Sequence, residues 1–306
     1  MAESPVSVIV VSYNTKEKLH RCLSCIEPSH EVIVVDNASS DGSAEMVAEE
    51  FPHVVLIRNE ENRGFGAANN QGLDAMSRTL ALFLNSDCYA EPGAILRLSM
   101  AFRDSEVVAA GGKLLNPDGS FQPSVAGHLT LWMVFMEQTF LERLLRPFGL
   151  GYWFVEPFAE TRVVPQVMGA CLMCRPLERF DERFFLYCED TDLCRRLEKH
   201  GKILHDPAAR FTHELGSSSI GASRWRSVAR YNRGKELFFQ IHQGKAQATV
   251  CWLLDRLGAL IRLLVWLVPT LLTLGLVRRF RDQVALFSKV LMTPILGPDP
   301  APRIPR

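Results

Sequence analysis

The strongest constraint in this sequence is the alternation of β-branched runs with helical patterns over its first 115 residues. Val6–Val11 and Glu31–Asp36 consist largely of Val and Ile, which is typical of strands buried on both faces of a sheet. The other strands predicted here are Val54–Ile57, Leu80–Leu84 and Val107–Gly111. The helices predicted between the strands are Lys16–Ile26, Ser43–Phe51, Phe65–Ser77 and Pro92–Phe102. This order predicts an α/β fold with a mainly parallel sheet flanked by helices.

The pattern weakens after the fifth predicted strand and resumes later in the chain. Residues 119–162 are irregular and rich in aromatic side chains. The later predicted elements are a helix over Leu129–Leu145, an extended stretch over Val163–Met173, a helix over Leu193–His200, and strands over Lys202–His205 and Ala209–His213. The Gly and Ser residues that follow, Gly216–Ser219, predict a mobile loop.

Polar residues stand directly after three of the predicted strands. They are Asn14, Asp36 and Asp87. In open α/β sheets, ligands bind beyond the carboxyl ends of the parallel strands, so we expect these residues to line a site. The alternative is that they only solvate loops and cap helices, which also suits Ser39–Asp41.

The charges are balanced overall but unevenly distributed. The 34 Lys and Arg residues equal the 34 Asp and Glu residues, which argues against a protein that binds nucleic acid over its whole surface. Residues 1–209 contain 19 basic and 29 acidic side chains, whereas residues 210–306 contain 15 basic and 5 acidic ones. The chain therefore has an acidic body and a basic C-terminal part.

Two other kinds of site are poorly supported. Gly64–Gly66 does not continue into the glycine fingerprint of a dinucleotide-binding oxidoreductase. The pairs Cys22/Cys25 and Cys171/Cys174 suit a zinc site by spacing, but neither lies in a Gly-rich knuckle, so buried apolar cysteines are the favoured interpretation. Eight cysteines in 306 residues, with no secretory pattern at the start, predict a reducing cytoplasm.

Four motifs occur together in a specific order. They are Val35–Gly42 (VDNASSDG), Asn62–Gly72 (NRGFGAANNQG), Leu84–Asp87 (LNSD) and Phe184–Arg195 (FFLYCEDTDLCR). In this arrangement the chain resembles the family 2 glycosyltransferases of the GT-A fold, in particular their bacterial rhamnosyltransferase-like branch. The resemblance extends from about Val6 to about Phe239.

The resemblance implies a pocket for a nucleoside-diphosphate sugar donor. The residues expected to bind its nucleotide part are Ser12, Asn14, Asp36, Asn62, Arg63, Asn69, Asn85 and Ser86. A carboxylate such as Asp36 suits a ribose hydroxyl or a base N–H, because it accepts hydrogen bonds. Arg63 either pairs with the diphosphate or is an exposed arginine in a turn.

The resemblance also implies a divalent cation, Mg²⁺ or Mn²⁺. Asn85–Asp87 takes the place of the family's DxD motif, in which carboxylates bind the cation that bridges the donor phosphates. Asp87 is the expected ligand, but Asn85 replaces the first acid with an amide, which leaves the strictness of metal dependence open. His213 resembles a later metal ligand of the fold; a structural histidine is the alternative.

Glu189 and Asp190 resemble the family's ED motif, which implies that Asp190 is the general base. The alternative is that these acids only stabilise the start of a helix, where carboxylates interact favourably with the macrodipole. The expected activity is inverting transfer of a sugar, with rhamnose from a dTDP-sugar as an example, to a lipid-linked or polysaccharide acceptor in bacterial cell-surface glycan synthesis. A catalytically inactive, transferase-like subunit of a membrane-bound assembly complex is the alternative, supported by Asn85.

The C-terminal region is apolar and basic. Leu257–Val277 is almost wholly apolar apart from Arg262 and Pro269. We expect Asp255, Arg256 and Arg262 to suit a helix that lies in a membrane interface, with basic side chains on anionic headgroups. A membrane-spanning helix and a buried dimerisation helix, giving a homodimer, are the alternatives.

These patterns predict three regions. Residues 1–242 form the GT-A domain, residues 243–296 a helical membrane-associating appendage, and residues 297–306, with four prolines, a flexible end. The expected location is the cytoplasm, peripheral or monotopic on the inner face of a bacterial plasma membrane.

Overall fold

The computed structural model of the chain describes residues 6–145, 148, 158–214 and 224–297. The predicted loop at 216–219 and residues 298–306 of the predicted flexible end lie outside the described residues. The strands described are β1 (Ser7–Ser12), β2 (Glu31–Asp36), β3 (Val55–Arg58), β4 (Ala81–Asn85), β5 (Cys88–Ala90), β6 (Val107–Leu115), β7 (Phe121–Gln122), β8 (Val125–Ala126), β9 (Arg162–Val163), β10 (Gln166–Val167), β11 (Cys171–Cys174) and β12 (Lys202–His213). The α-helices described are α1 (Lys16–Ser24), α2 (Ser43–Glu50), α3 (Phe65–Ala75), α4 (Ala94–Ser99), α5 (Leu131–Gln138), α6 (Leu141–Leu145), α7 (Glu189–Leu197), α8 (Arg224–Gln243), α9 (Lys245–Leu272) and α10 (Arg278–Leu291).

One sheet organises the first part of the chain. Its strands β3, β2, β1 and β4 are neighbours in this order and run parallel. β11 pairs antiparallel with β4 and β6, β12 runs parallel to β6, and β5 pairs antiparallel with the end of β12. The predicted α/β fold with a central sheet and flanking helices is confirmed, and the antiparallel strands make the sheet mixed.

The central strands are buried on both faces. Val8 and Val10 of β1 belong to one hydrophobic cluster, whereas Ile9 belongs to a second cluster with Ile33 and Phe83. Alternate side chains of a strand point to opposite faces, so a core on each side needs an uninterrupted apolar run. This is why β1 and β2 read as continuous Val and Ile.

The helix predicted over Leu129–Leu145 is broken in the structure. It forms α5 and α6, separated by Phe140, whose φ of 63° lies in the left-handed region. Arg262 stabilises the break: its guanidinium donates to the backbone carbonyls of Glu137 and Gln138 and lies 4.4 Å from the centre of the Phe140 ring. The last carbonyls of α5 thus receive the cation that a helix end favours.

The two strands predicted over Lys202–His205 and Ala209–His213 are one strand, β12. The pairing with β6 shifts register between Asp206 and Arg210. Asp206 accepts a hydrogen bond from the N–H of Ala208 at 3.0 Å, which holds this irregular step. The interruption is therefore a bulge within a strand rather than a loop between two strands.

The described residues divide into two compact units. The first contains residues 6–128, 158–185 and 189–214; the second contains residues 129–145, 148, 186–188 and 224–297. The limits of the two units reflect which residues contact one another. The domain boundaries that the sequence predicts at residues 242 and 296 stay a prediction.

A charged group lies at the centre of the second unit. Lys235 of α8 and Asp255 of α9 are both fully buried, and their Nζ and Oδ1 atoms are 2.7 Å apart. Gln138 donates to the same Asp255 oxygen at 2.9 Å, and a Glu137 oxygen lies 3.4 Å from Lys235 Nζ. This network joins α5, α8 and α9.

The expectation that Asp255, Arg256 and Arg262 face membrane headgroups is wrong. Asp255 pairs with Lys235, Arg256 donates to the backbone carbonyl of Val290, and Arg262 caps α5. Charged groups in an apolar helix are costly unless they are paired, and here the pairing occurs inside the second unit. Among the described helices, none combines the length and the apolar character that crossing a membrane requires.

We predict that Asp255→Ala lowers the free energy of unfolding by about 3 kcal/mol. The reason is that Lys235 would stay buried and, among the described residues, would keep only Glu137, 3.4 Å away, as a carboxylate partner. Urea unfolding monitored by circular dichroism measures the change.

The matched control is Asp282→Ala, because Asp282 is an exposed acid 3.7 Å from Arg278, and we expect it to change stability by less than about 1 kcal/mol. Equal effects of the two substitutions would contradict a structural role for the buried pair.

Candidate active site

The carboxyl ends of three parallel strands bring predicted site residues to one edge of the sheet. Ser12, at the end of β1, lies opposite Asp36 at the end of β2. On its other side β1 pairs with β4, with Val11 opposite Asn85. Asn85, Ser86 and Asp87 follow at the same edge because parallel strands end together.

Asp36 has one hydrogen-bonded oxygen and one without a partner. Its carboxylate is buried, and Oδ2 accepts a hydrogen bond from the N–H of Ser39 at 3.0 Å. Oδ1 is buried and has no hydrogen-bond partner among the described residues. A buried acceptor of this kind is costly when unpaired, so it suits a ligand that brings an N–H or O–H.

Asn14 connects the loops that follow β1 and β2. Its φ is 53°, its N–H donates to Ser39 Oγ at 2.9 Å, and its Oδ1 accepts from the N–H of Ser40 at 2.8 Å. Its side-chain oxygen is therefore occupied by the protein, and the residue holds the shape of the loops beside Asp36.

Asn37, which the sequence analysis did not single out, organises the segment before α3. Its Oδ1 accepts from Asn59 Nδ2 at 3.0 Å and from the N–H of Arg63 at 3.1 Å. Its Nδ2 donates to Asn62 Oδ1 at 3.0 Å and to the carbonyl of Gly64 at 3.2 Å. In the sequence, the feature that could have indicated a role for Asn37 is its position next to Asp36.

Arg63 and Asn69 are not joined to Asp36 or Asp87 by any hydrogen bond or ion pair within the described chain. The Arg63 side chain is exposed, and its Nη2 is 3.9 Å from Glu182 Oε2. Asn69 is buried in α3 and donates to the carbonyl of Phe65, while its Oδ1 has no partner among the described residues.

Asp87 and His213 form a buried pair. Asp87 Oδ1 is 3.3 Å from His213 Nε2, and Asn85 Nδ2 is 3.3 Å from the same ring nitrogen. Ser86 is fixed nearby, because its Oγ accepts a hydrogen bond from Thr15 at 2.9 Å, and Thr15 also contacts Ser12. The structure thus brings four predicted site residues together at this edge, namely Asn85, Ser86, Asp87 and His213.

Gln122 orients the His213 ring. Its Oε1 is 2.7 Å from His213 Nδ1, and its Nε2 donates to the His213 carbonyl at 3.1 Å. An amide oxygen accepts but does not donate, so Nδ1 donates its N–H to Gln122, and Nε2 is the ring nitrogen that faces Asp87. The sequence held no signal for Gln122, because its contact with His213 is tertiary.

These atoms fit a divalent cation that arrives with its substrate. His213 Nε2 and a carboxylate oxygen of Asp87, both of them atoms that bind divalent cations, lie 3.3 Å apart. Across the described chain, no group of three or more His, Cys, Asp or Glu side chains gathers to hold a metal, so the two CxxC pairs form no such cluster there. Mg²⁺ commonly binds through one or two protein ligands together with substrate phosphates.

Two cations of α1 lie beside this pair and were not predicted as site residues. Lys18 Nζ is 3.9 Å from Asp87 Oδ2 and 3.2 Å from Glu214 Oε2. Arg21 pairs with Glu214 at 3.1 Å and lies 4.1 Å from the centre of the Tyr89 ring. Lys18 therefore supplies positive charge next to Asp87.

Asp190 lies in the first turn of α7, which begins at Glu189 rather than at the predicted Leu193. Its Oδ2 accepts from the N–H of Gly169 at 2.8 Å, and its Oδ1 accepts from the N–H of Thr191 at 2.8 Å. Burial raises the pKa of Asp190 above its ordinary value, although these hydrogen bonds oppose the shift.

Gly169 allows this close approach. A Cβ at Gly169 would stand 3.1 Å from the Cβ of Asp190 and 3.4 Å from its Oδ2. A half-buried carboxylate with a raised pKa is a better proton acceptor than an exposed one.

The other acids of this turn are more deeply buried. Asp192 is fully buried and pairs with Arg196 at 2.8 Å, and Arg196 also pairs with Glu178 at 2.7 Å. Glu189 is buried as well. Asp190 is therefore the acid of this turn that keeps partial contact with solvent.

The chain is similar to known glycosyltransferases in sequence and in fold. Residues 7–154 match the model of the family described as Glycosyl transferase family 2. The chain is 26% identical, over 276 residues, to an N-acetylglucosaminyl-diphospho-decaprenol L-rhamnosyltransferase of Mycobacterium tuberculosis strain H37Rv, with 81% of this chain and 88% of that relative covered.

Two solved structures share the fold. The mannosyltransferase PcManGT from Pyrobaculum calidifontis, in complex with GDP-Man and Mn²⁺, aligns with a TM-score of 0.54 at 17% identity and covers 94% of this chain and 84% of its own. GalNAc-T7 with UDP, GalNAc and Mn²⁺ aligns with a TM-score of 0.52 at 16% identity over 77% of this chain and 49% of its own. Together with the family match, these similarities identify residues 7–154 as a family 2 glycosyltransferase segment and show that the chain has the GT-A fold.

Proposed function

We propose that this glycosyltransferase moves a sugar, with inversion, from a nucleoside diphosphate to a lipid-linked or polysaccharide acceptor in bacterial cell-surface glycan synthesis. The observation that carries the proposal is the buried Asp87–His213 pair at the carboxyl edge of the sheet. A departing diphosphate needs positive charge beside it, and this pair suits a divalent cation. The mycobacterial relative, named for rhamnosyl transfer and for N-acetylglucosaminyl-diphospho-decaprenol, supports rhamnose and a lipid-linked acceptor as candidates.

The nucleotide would lie along the loops that follow β1, β2 and β4. The unpaired Oδ1 of Asp36 accepts from the base or ribose in this proposal. Arg63 is exposed and only weakly paired, so its guanidinium is available to the diphosphate. The full proposed set is Ser12, Asn14, Asp36, Asn62, Arg63, Asn69, Asn85 and Ser86.

Asp87 and His213 are the proposed ligands of Mg²⁺ or Mn²⁺. When bound, the cation would stabilise the negative charge of the leaving diphosphate. Asn85 contributes no charge, while Lys18 lies 3.9 Å from Asp87 and adds a positive charge at the same place. Lys18 therefore offsets part of the diphosphate charge by itself, which lowers the demand on the metal.

Asp190 is the proposed general base. It takes the proton of the acceptor hydroxyl as that oxygen bonds to the anomeric carbon of the sugar, and the bond from this carbon to the diphosphate oxygen breaks on the opposite face. The N–H groups of Gly169 and Thr191 hold the carboxylate in place. Glu189, the first residue of α7, is the second member of the proposed catalytic pair.

The alternative function is a transferase-like subunit without catalytic activity. The observation in its favour is that Asn85 contacts His213 where an acid would give the site a second carboxylate. Release of a nucleoside diphosphate from any sugar donor by the pure protein excludes this alternative.

The C-terminal helices are the proposed contact with the membrane. We place the enzyme in the cytoplasm, peripheral or monotopic on the inner face of the plasma membrane, where lipid-linked acceptors occur. A homodimer formed through these helices is the competing role for the same region.

We predict that nucleoside diphosphates raise the melting temperature more with Mn²⁺ than without it, because cation and diphosphate bind together. A panel of nucleotide sugars, tested by thermal unfolding with and without Mn²⁺, identifies the donor.

Gln122→Leu should weaken Mn²⁺ binding by about 10- to 100-fold, since His213 loses the acceptor that orients its ring. Gln122→Glu keeps an acceptor oxygen and should retain most of the affinity; equal losses in both variants would contradict the orienting role.

We predict that Asp190→Asn keeps donor binding but lowers kcat by about 100- to 10,000-fold, because an amide cannot accept the acceptor's proton. Transfer assays with the donor from the panel measure the loss, and thermal shift measures donor binding. Asp104→Asn, an exposed acid at the start of β6, is the matched control and should leave both unchanged. Lost donor binding with intact turnover would exclude the proposed role.

We predict an acid limb in the pH profile of kcat/KM. The base works as the carboxylate, so the rate falls as the pH drops through the pKa of Asp190. Burial raises this pKa above the ordinary value of 3.8, so the midpoint should lie above that of an exposed aspartate. Circular dichroism at each pH separates this loss from unfolding, and a profile that is flat down to the ordinary range contradicts the assignment.

A further inference from the structure

The turn between α9 and α10 exposes large apolar side chains. Leu272 is 80% exposed, Leu274 is 87% exposed and Leu276 is 82% exposed. Turns are usually built from Gly, Pro, Asn, Asp and Ser, and three leucines in water are unfavourable there. A binding partner that covers these leucines would explain their exposure.

The turn is ordered by its own backbone. The N–H of Gly275 donates to the carbonyl of Thr270 at 2.8 Å, and the N–H of Leu276 donates to the carbonyl of Thr273 at 2.9 Å. Leu274 has a φ of 50°, which is strained for a bulky residue. The backbone therefore holds the leucines outward in a fixed arrangement. The strain at Leu274 costs free energy, which binding of the leucines to a partner would offset.

The apolar surface continues along α9. Seven of its large exposed side chains recur every three or four residues, at Val250, Leu253, Leu257, Leu260, Leu264, Val268 and Leu271. This spacing places them on one face of the helix, while Cys251, Asp255 and Ala259 are buried on the other. At 1.5 Å per residue, the stripe is about 30 Å long.

Positive charge stands next to the apolar tip. Arg278, Arg279 and Arg281 are exposed at the start of α10, directly after Val277. The acid that pairs with one of them, Asp282, is itself exposed and 3.7 Å from Arg278 Nε. The partner of this surface must therefore offer an apolar interior beside negative charge.

We propose that the leucines of the α9–α10 turn insert into an anionic lipid bilayer while Arg278, Arg279 and Arg281 contact its phosphates. A bilayer presents acyl chains next to headgroup phosphates, which suits exposed leucines followed within a few residues by exposed arginines. A second copy of the chain fits less well, because a twofold contact on this face would bring the two arginine groups together.

This inference rests on the proposed function for its purpose, since a lipid-linked acceptor is met at a bilayer. It differs from the sequence-based expectation in the residues involved. Arg256 and Arg262 are occupied inside the second unit, so the headgroup contacts belong to the arginines of α10.

The test is co-sedimentation of the full chain with vesicles of phosphatidylcholine, alone or with one-third phosphatidylglycerol. The wild type should bind the anionic vesicles, and salt should weaken the binding. A triple variant R278Q/R279Q/R281Q should lose about 100-fold in affinity for anionic vesicles, from roughly fivefold per arginine. A triple variant L272S/L274S/L276S should lose roughly tenfold per leucine on the same vesicles.

The matched controls are Leu177→Ser and Arg103→Gln, exposed residues of the first unit, which should bind as the wild type does. Absence of vesicle binding by the wild type, or binding that neither triple variant changes, overturns the inference. A dimer in analytical ultracentrifugation that the leucine variant dissociates would also overturn it, in favour of self-association.

Thermal stabilisation by the nucleotide-sugar panel with Mn²⁺, without vesicles, is measured on the same proteins. Vesicle binding without stabilisation by any donor refutes the proposed function and leaves the membrane surface intact. Stabilisation by a donor without vesicle binding refutes the membrane surface alone.

Discussion

The candidate active site depends on the antiparallel pairing of β5, a strand of three residues, with the end of β12. In this register His213 lies opposite Cys88, beside Asp87, and the N–H of Glu214 donates to the Asp87 carbonyl at 2.9 Å. A slip of one residue would turn the imidazole to the opposite face of the sheet. The backbone pairing therefore sets the distance between the two proposed ligands, and Gln122 then sets the orientation of the ring.

Much of this arrangement could be predicted because its causes are local in the sequence. The strand Glu31–Asp36 has the bounds that its run of Val and Ile predicts, because a strand covered on both faces needs apolar residues throughout. The position of Asp36 beside Ser12, with Asn85 on the other side of β1, then follows from parallel pairing, which aligns the carboxyl ends. The motifs add the assignment of roles, which periodicity does not supply.

The parts that could not be predicted depend on contacts between distant residues. β5 is too short to show a periodic pattern, and Gln122 meets His213 across 91 residues of sequence. The apolar sequence of α9 indicates that another apolar surface covers this helix, but it does not identify that surface. The charged residues of α9 suggested contact with lipid headgroups. Asp255 instead pairs with Lys235 of the same protein, which lies 20 residues earlier in the chain.

The buried pair of α8 and α9 also limits how the protein can be shortened. A polypeptide ended at residue 242 would keep Lys235 and Glu236 but lose Asp255 and Arg256, the groups that pair with them. The lysine would then be an uncompensated charge in the interior or would pull α8 apart to reach water. The C-terminal helices are thus an integral part of the folded enzyme, and a catalytic fragment without them would first need an apolar residue in place of Lys235.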